Sequence, residues 1–315
     1  MAASALGATP STRHLQRPLD PGALARVQRR LQAADTPPWL HGEVARRMAE
    51  RLPIVKLQPA VVADWGAFLG ASQALLTQAY PQAQTLAVEA GAQRRAATAA
   101  MVARPWWSPQ RWLGGTVQAL CAEEVQPGQA QLLWANMALH GVADPLGLMR
   151  QWHRALAVDG FLMFSTLGPG TLTALQALYR DEGWPPPFAP FVDMHDLGDM
   201  LVEAGFADPV MDQETITLTW ATPAALLAEL RTLGGNVALQ RFAGLRTPRW
   251  QARLEAALAA TAGAGADGRL QLGFEVVYGH AFRPLPRARV AAHTELALED
   301  LRTMARAGRK SPPQP

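Results

Sequence analysis

Cysteine is almost missing from this chain: Cys121 is the only one in 315 residues. One thiol excludes an intrachain disulfide framework and any metal site built from several cysteines. Such usage fits a reducing compartment, so a cytoplasmic protein is expected. Cys121 itself reads as a small residue at a strand end rather than as a nucleophile. Long apolar runs are also missing. No stretch of about 18 apolar residues occurs, which argues against a membrane-spanning helix. There is no His-x-x-x-His pair and no carboxylate cluster with ligand spacing, so no metal is expected. The absence of Gly-x-Ser-x-Gly leaves an α/β-hydrolase elbow unsupported. Charge is sparse, at 17% of residues with a net +3, and Arg greatly outnumbers Lys. The small, scattered excess gives no reason to expect nucleic acid as a partner. A local Arg cluster could still face an acidic protein.

Hydrophobic residues make up 49% of the chain, enough for a sizeable core. Residues 1–19 lack a continuous apolar core and read as a disordered tail rather than a secretory signal or a transit peptide. Residues 304–315 read as a second tail. Between them a single domain is expected over 20–303: N-terminal helices at 20–58, a core sheet at 59–172, and lid and late core elements at 173–245.

The periodicity supports this division. Val44, Met48 and Leu52 mark one helical face. From residue 60 short apolar strands alternate with helices. Strands are expected at 60–63, 85–88, 116–121, 131–135 and 161–166. Helices are expected at 72–80, 93–102 and 145–156. Pro105-Trp106-Trp107-Ser108-Pro109 reads as an aromatic loop. Further on, a helix at 194–204 stopped by Gly205, a strand at 215–220, a helix at 223–233 and a strand within 270–281 are expected. Such alternation implies βαβ units, and hence an α/β, Rossmann-like, doubly wound and mostly parallel sheet.

In such sheets ligands lie beyond the carboxyl ends of the strands. Two segments bear on this. Asp64-Trp65-Gly66-Ala67-Phe68-Leu69-Gly70 follows the first strand, and Glu89 ends the second. Glycine in such a turn lets backbone approach a ligand, and an acid at the second strand end accepts hydrogen bonds from ribose hydroxyls. The plainer reading is a strand end and a tight turn. The second segment, Phe164-Ser165-Thr166-Leu167-Gly168-Pro169-Gly170-Thr171-Leu172, sets small polar groups at the same sheet edge.

That second segment resembles the strand-and-turn signature of the malonyl-acyl-carrier-protein O-methyltransferases of biotin synthesis. These are a branch of the class I S-adenosylmethionine-dependent methyltransferases. The resemblance is strongest over 131–282. It includes Asn136 after the fourth strand, the run from Phe191 to Pro209, Leu233-Gly234-Gly235-Asn236, and Glu275 to Ala281. Asp64, Gly66 and Gly70 fit the family's cofactor loop, with Phe68 where the middle glycine is usual. His140 stands where Gln is common and Gly141 where Trp is. The N-terminal segment Leu31 to Trp39 is shorter than the family's aromatic-rich lid and has no Tyr.

The resemblance implies an enzyme that uses S-adenosylmethionine and acts on acyl carrier protein carrying a malonyl thioester. It implies that Asp64, Gly66, Gly70, Glu89 and Asn136 hold the cofactor, though Asn136 equally suits a turn. His140 is a candidate for the substrate carboxylate or a strand cap. Ser165 and Thr166 either line the pocket or satisfy local backbone. Arg231 and Arg241 flank the Gly234-Gly235 turn as candidate carboxylate partners or as surface arginines. His195 reads as part of a helix start, His280 as a core residue, and Trp106, Trp107 and Trp112 as packing. The altered loop and short lid leave two other readings open. One is a methyltransferase-like binding or assembly protein without catalysis, and the other is an enzyme with a different acceptor.

Overall fold

The computed structural model describes residues 17–103, 115–261 and 268–285. Its centre is a sheet whose strands, among the described residues, are β1 (Val61–Trp65), β2 (Gln84–Glu89), β3 (Val117–Cys121), β4 (Ala130–Ala135), β5 (Leu156–Leu167), β6 (Ala207–Trp220) and β7 (Leu270–Phe282). Their order is β3-β2-β1-β4-β5-β7-β6. The first five run parallel. β7 is antiparallel to both β5 and β6. The chain reverses direction across the sheet between β1 and β4, which makes their carboxyl ends the ligand-binding crevice of such a sheet. The expected doubly wound, mostly parallel fold is therefore the one observed.

Alternation along each central strand builds a core on both faces. Val62, Leu132, Trp134, Phe161 and Met163 face one side with α2 (Trp39–Ala49) and α7 (Thr173–Asp181). Ala63, Leu133, Ala135, Leu162 and Phe164 face the other with α6 (Pro145–Ala155) and α8 (Met194–Glu203). In α6, Leu146, Met149 and Trp152 recur every third residue and are buried. Asp144 caps that helix by accepting the Gly147 N–H at 2.8 Å, and Pro145 opens its first turn. The remaining helices are α1 (Pro21–Gln32), the short α3 (Ala67–Gly70), α4 (Gln73–Ala79), α5 (Ala92–Val102), α9 (Pro223–Leu233) and α10 (Pro248–Thr261). No described helix is long and apolar enough to cross a membrane.

Two expectations change. Residues 17–19 are not tail: Leu19 is buried and bridges Ala238, and Arg17 is buried as well. The Arg17 N–H donates to the Ala143 carbonyl at 2.8 Å and the Asp20 N–H to the Val237 carbonyl at 2.8 Å. A polar, proline-containing sequence gave no sign of these long-range partners. Second, of the late strands, which join the sheet as an antiparallel pair, the first is longer than expected. β6 begins at Ala207, ahead of the expected 215, because β7 offers it a long antiparallel partner. The aromatic loop with Trp106, Trp107 and Trp112 lies outside the described residues, as do residues 1–16 and 304–315.

Candidate active site

The turn after β5 is locked by Glu275 on β7. The Gly168 N–H donates to the Glu275 carbonyl at 2.9 Å, and the Gly170 N–H donates to Glu275 Oε1 at 3.3 Å. Thr171 Oγ1 donates to the same carbonyl at 3.0 Å and accepts the Glu275 N–H at 3.1 Å. A Cβ on Gly168 would run into the Glu275 carboxylate, so a larger residue there would force that side chain to move. This turn is one wall of the site.

A polar ladder sets the strand ends. Asn136 follows β4 and gives both Nδ2 hydrogens away, to the carbonyls of His41 and Gly70, each at 2.7 Å. Its Oδ1 accepts from Ser165 Oγ at 2.7 Å, and Ser165 Oγ accepts the Met137 N–H at 2.9 Å. Trp134 Nε1 donates to Ser72 Oγ at 2.7 Å, and that hydroxyl donates to the Gly70 carbonyl at 2.9 Å. Both amide hydrogens of Asn136 are thus spent on the protein, which places it in the turn role. Ser165 likewise serves the backbone. Thr166 is buried on β5.

Asp64 and Glu89 end the neighbouring strands β1 and β2. Gly66 takes φ 75°, and a Cβ there would meet nothing within 4 Å, so the turn leaves open space beside it. Neither Asp64 oxygen has a hydrogen-bond partner. Burial, and next the charge of Glu89, push its pKa up from 3.8 to about 8. Glu89 Oε1 accepts from Thr98 Oγ1 at 2.7 Å and from the Phe68 N–H at 3.1 Å, while Oε2 is buried without a partner. Burial raises the Glu89 pKa too, against the opposing pull of those two donors and Arg94. Three orphan carboxylate oxygens beside an open turn fit a ligand that brings hydroxyl or cationic donors. S-Adenosylmethionine has both, so the residues fit it.

Over this pair lies a latch that sequence reading missed. The Phe68 ring sits 3.7 Å beneath the Arg94 guanidinium. Arg94 Nη2 donates to the Gln32 carbonyl, and to that of Ala34 at 2.9 Å. It thereby ties the end of α1 and the start of the link to α2 to helix α5. The position of Arg94, five residues after Glu89, was the one available signal. His41 was also missed. It is buried, its Nδ1 lies 2.8 Å from the Leu69 carbonyl, and burial lowers its pKa to about 4.

Next to the crevice, beyond β4 and β5, is a cavity of about 430 Å³. Its walls are mostly apolar, with Leu167, Leu172 and Phe188 among them; Arg17, Arg30 and Arg231 bring its charge, and His140, Gln28 and Asn236 are among its neutral polar residues. No Asp or Glu lines it among the described residues. His140 Nδ1 is unpartnered. Burial, then His41 and Arg17, hold its pKa down at about 3, so the ring is neutral at pH 7. Arg231 is exposed at this cavity. Arg241 is not available to a ligand in the expected way, because its Nη2 donates to Asp20 Oδ2 at 2.7 Å in an ion pair. The pairing arises because Asp20 caps α1 and sits where the 238–241 turn arrives. His195 is exposed beside Asp193, the cap of α8, and His280 packs against Phe161. Among the described residues no group of three or more His, Cys, Asp or Glu could hold a metal.

No protein-family model matches the chain. It is 37% identical over 265 residues to the malonyl-[acyl-carrier protein] O-methyltransferase of Gallionella capsiferriformans, covering 82% of this chain and 89% of that protein. It is 38% identical over 256 residues to the protein of the same name from Laribacter hongkongensis, covering 79% and 84%. The fold is similar to that of the YcgJ protein from Bacillus subtilis, with a TM-score of 0.51 and 10% identity over 76% of this chain and 99% of that one. This last likeness concerns the fold alone.

Proposed function

Because the chain belongs to the malonyl-[acyl-carrier protein] O-methyltransferase family, we propose that it methylates the free carboxylate of a malonyl thioester on acyl carrier protein. S-Adenosylmethionine is the methyl donor, and the product is the masked acyl starter of biotin precursor synthesis in the cytoplasm. The observation that supports it is two neighbouring features of the sheet edge. One is a strand-end crevice with orphan carboxylates. The other is an apolar cavity whose charged groups are all arginines.

The bound donor supplies an electrophilic methyl group. Glu89 and Asp64 would hold it through their unpartnered oxygens, and Gly66 leaves room for its approach. The nucleophile needs no activation, because a malonyl carboxylate is already ionised at pH 7. A general base is therefore not required, and neutral His140 need not act as one. The chain's task is to orient one carboxylate oxygen and exclude water. The apolar walls of the cavity serve the second part. Arginine in those walls serves the first.

Incubation of the purified protein with S-adenosylmethionine and malonyl-acyl carrier protein tests this. Mass spectrometry should show one added methyl group on the malonyl carrier and none on the acetyl carrier. Titration calorimetry with S-adenosylmethionine addresses the other reading, motivated by Phe68 and the Arg94 latch. A folded protein that takes up no ligand and transfers no methyl group would be a binding protein instead.

A further inference from the structure

We propose that Arg17 is the residue that recognises the free carboxylate of the acyl substrate. The inference rests on the malonyl thioester reading above. Arg17 is only 9% exposed. Its Nη1 donates to the carbonyls of His140 at 2.5 Å and Val142 at 3.4 Å, and its Nη2 to that of Pro190 at 2.7 Å. Nε has no partner. Among the described residues no carboxylate pairs with it, whereas Arg47, Arg51, Arg241 and Arg253 each have one. Carbonyl dipoles alone thus face a buried, permanent positive charge, and burial already disfavours that charged form. An anionic ligand would compensate it.

The unused donors suit a carboxylate. A guanidinium has five N–H groups. Here the buried Nε–H and one Nη2–H are left without a protein acceptor, and a carboxylate is the ligand group that accepts two guanidinium N–H bonds at once. The location suits methyl transfer. Arg17 lines the apolar cavity and is fastened to His140, just after β4. β4 pairs with β1 through Asp64 and Trp134, so a carboxylate held here lies beside the cofactor crevice. The other arginines of the cavity are placed differently. Arg30 gives only Nη2 to the carbonyls of Arg231 and Gly234, and both Arg30 and Arg231 are exposed to solvent, unlike the buried Arg17. They suit the carrier's acidic surface or the arm better than a buried carboxylate.

The test compares malonyl-pantetheine with its methyl ester, measured by calorimetry on the wild-type protein and on Arg17→Gln. The wild type should bind the acid at least roughly tenfold more tightly than the ester, and Arg17→Gln should bind both alike, with KM for malonyl-acyl carrier protein raised more than kcat is lowered. A structural role in holding residues 17–20 would not erase the acid-over-ester preference. If the wild type methylates malonyl-acyl carrier protein while Arg17→Gln keeps that preference, Arg17 is overturned and the function stands. If the wild type neither methylates it nor prefers the acid, both fall. Should Arg17→Gln fail to fold, a crystal structure of the wild type with malonyl-pantetheine decides. The carboxylate on Arg17 is expected, and the carboxylate on Arg30 or Arg231 would overturn the assignment.

Discussion

Replacing Asp64 with Asn should stabilise the ligand-free protein, and increasingly so as pH rises. Asp64 is fully buried, its two oxygens are unpartnered, and its pKa rises from 3.8 to about 8. The folded protein therefore keeps a proton that the unfolded chain releases above its ordinary pKa. Stability from this group is highest in acid, declines as pH climbs through the interval from 3.8 to about 8, and levels off above it. At about 1.4 kcal/mol per unit, the whole interval corresponds to roughly 6 kcal/mol. Asn cannot ionise, so the variant escapes that decline. Between pH 5 and pH 8 the stability difference, variant minus wild type, should grow by roughly 3–4 kcal/mol. The slope is the readout, because cavity and hydrogen-bond changes of the substitution add a constant. Other titrating groups occur in both proteins and largely cancel, Glu89 being the neighbour most able to shift. Urea unfolding at several pH values measures the difference directly. A gap that stays within about 1 kcal/mol over that range would show that Asp64 is ionised in the folded state, and the crevice would then need a cation we have not identified.

Three further outcomes follow from the same geometry. Glu89→Gln should leave the protein folded yet weaken S-adenosylmethionine roughly tenfold to a hundredfold by calorimetry, since a charged acceptor becomes a neutral one; unchanged affinity would remove Glu89 from the site. Gly168→Ala should destabilise by roughly 1–3 kcal/mol in urea, because the new methyl meets the Glu275 carboxylate. Adding Glu275→Ala should recover part of that loss, and strict additivity would disprove the clash. Arg94→Ala should speed amide hydrogen exchange over residues 32–38, where its carbonyl contacts hold the link between α1 and α2; unaltered protection would mean that Arg94 is no latch.

The sheet was legible because its central strands carry two periodic signals at once. Leu132-Leu133-Trp134-Ala135 is apolar throughout, as a strand covered on both faces must be. β6 was legible only in its second half. Its first half reads Ala-Asp-Pro-Val-Met-Asp-Gln, with exposed positions that resemble a loop until β7 pairs with them. Helix α10 was not foreseen, although Pro248 opens it and Gly263, Gly265 and Gly268 follow it, because its Ala-rich sequence has only a weak apolar periodicity. The strand-end acids and the turn glycines could be placed in the fold, because each has a local backbone reason to be where it is. Arg17, His41 and Arg94 could not. Their roles depend on carbonyls 28 to 173 positions away in the chain, and no periodicity encodes such a partner.

Phe68 is the place where a family pattern and a physical requirement come apart. The pattern asks for glycine, but the backbone does not. Phe68 lies inside α3, in helical conformation, and the left-handed positions of the turn are Gly66 at φ 75° and Ala71 at φ 54°. The Phe68 N–H still points at Glu89 Oε1. What the substitution changes is the covering of the crevice: a ring now lies under Arg94, and Arg94 reaches the carbonyls of Gln32 and Ala34. The phenyl ring thus takes part in a cation–π stack with Arg94, which is fastened in turn to the end of α1 and the link to α2. The Phe68 substitution thus leaves the strand ends themselves unaltered: the Phe68 N–H still meets Glu89, and the unpartnered oxygens of Asp64 and Glu89 keep their places.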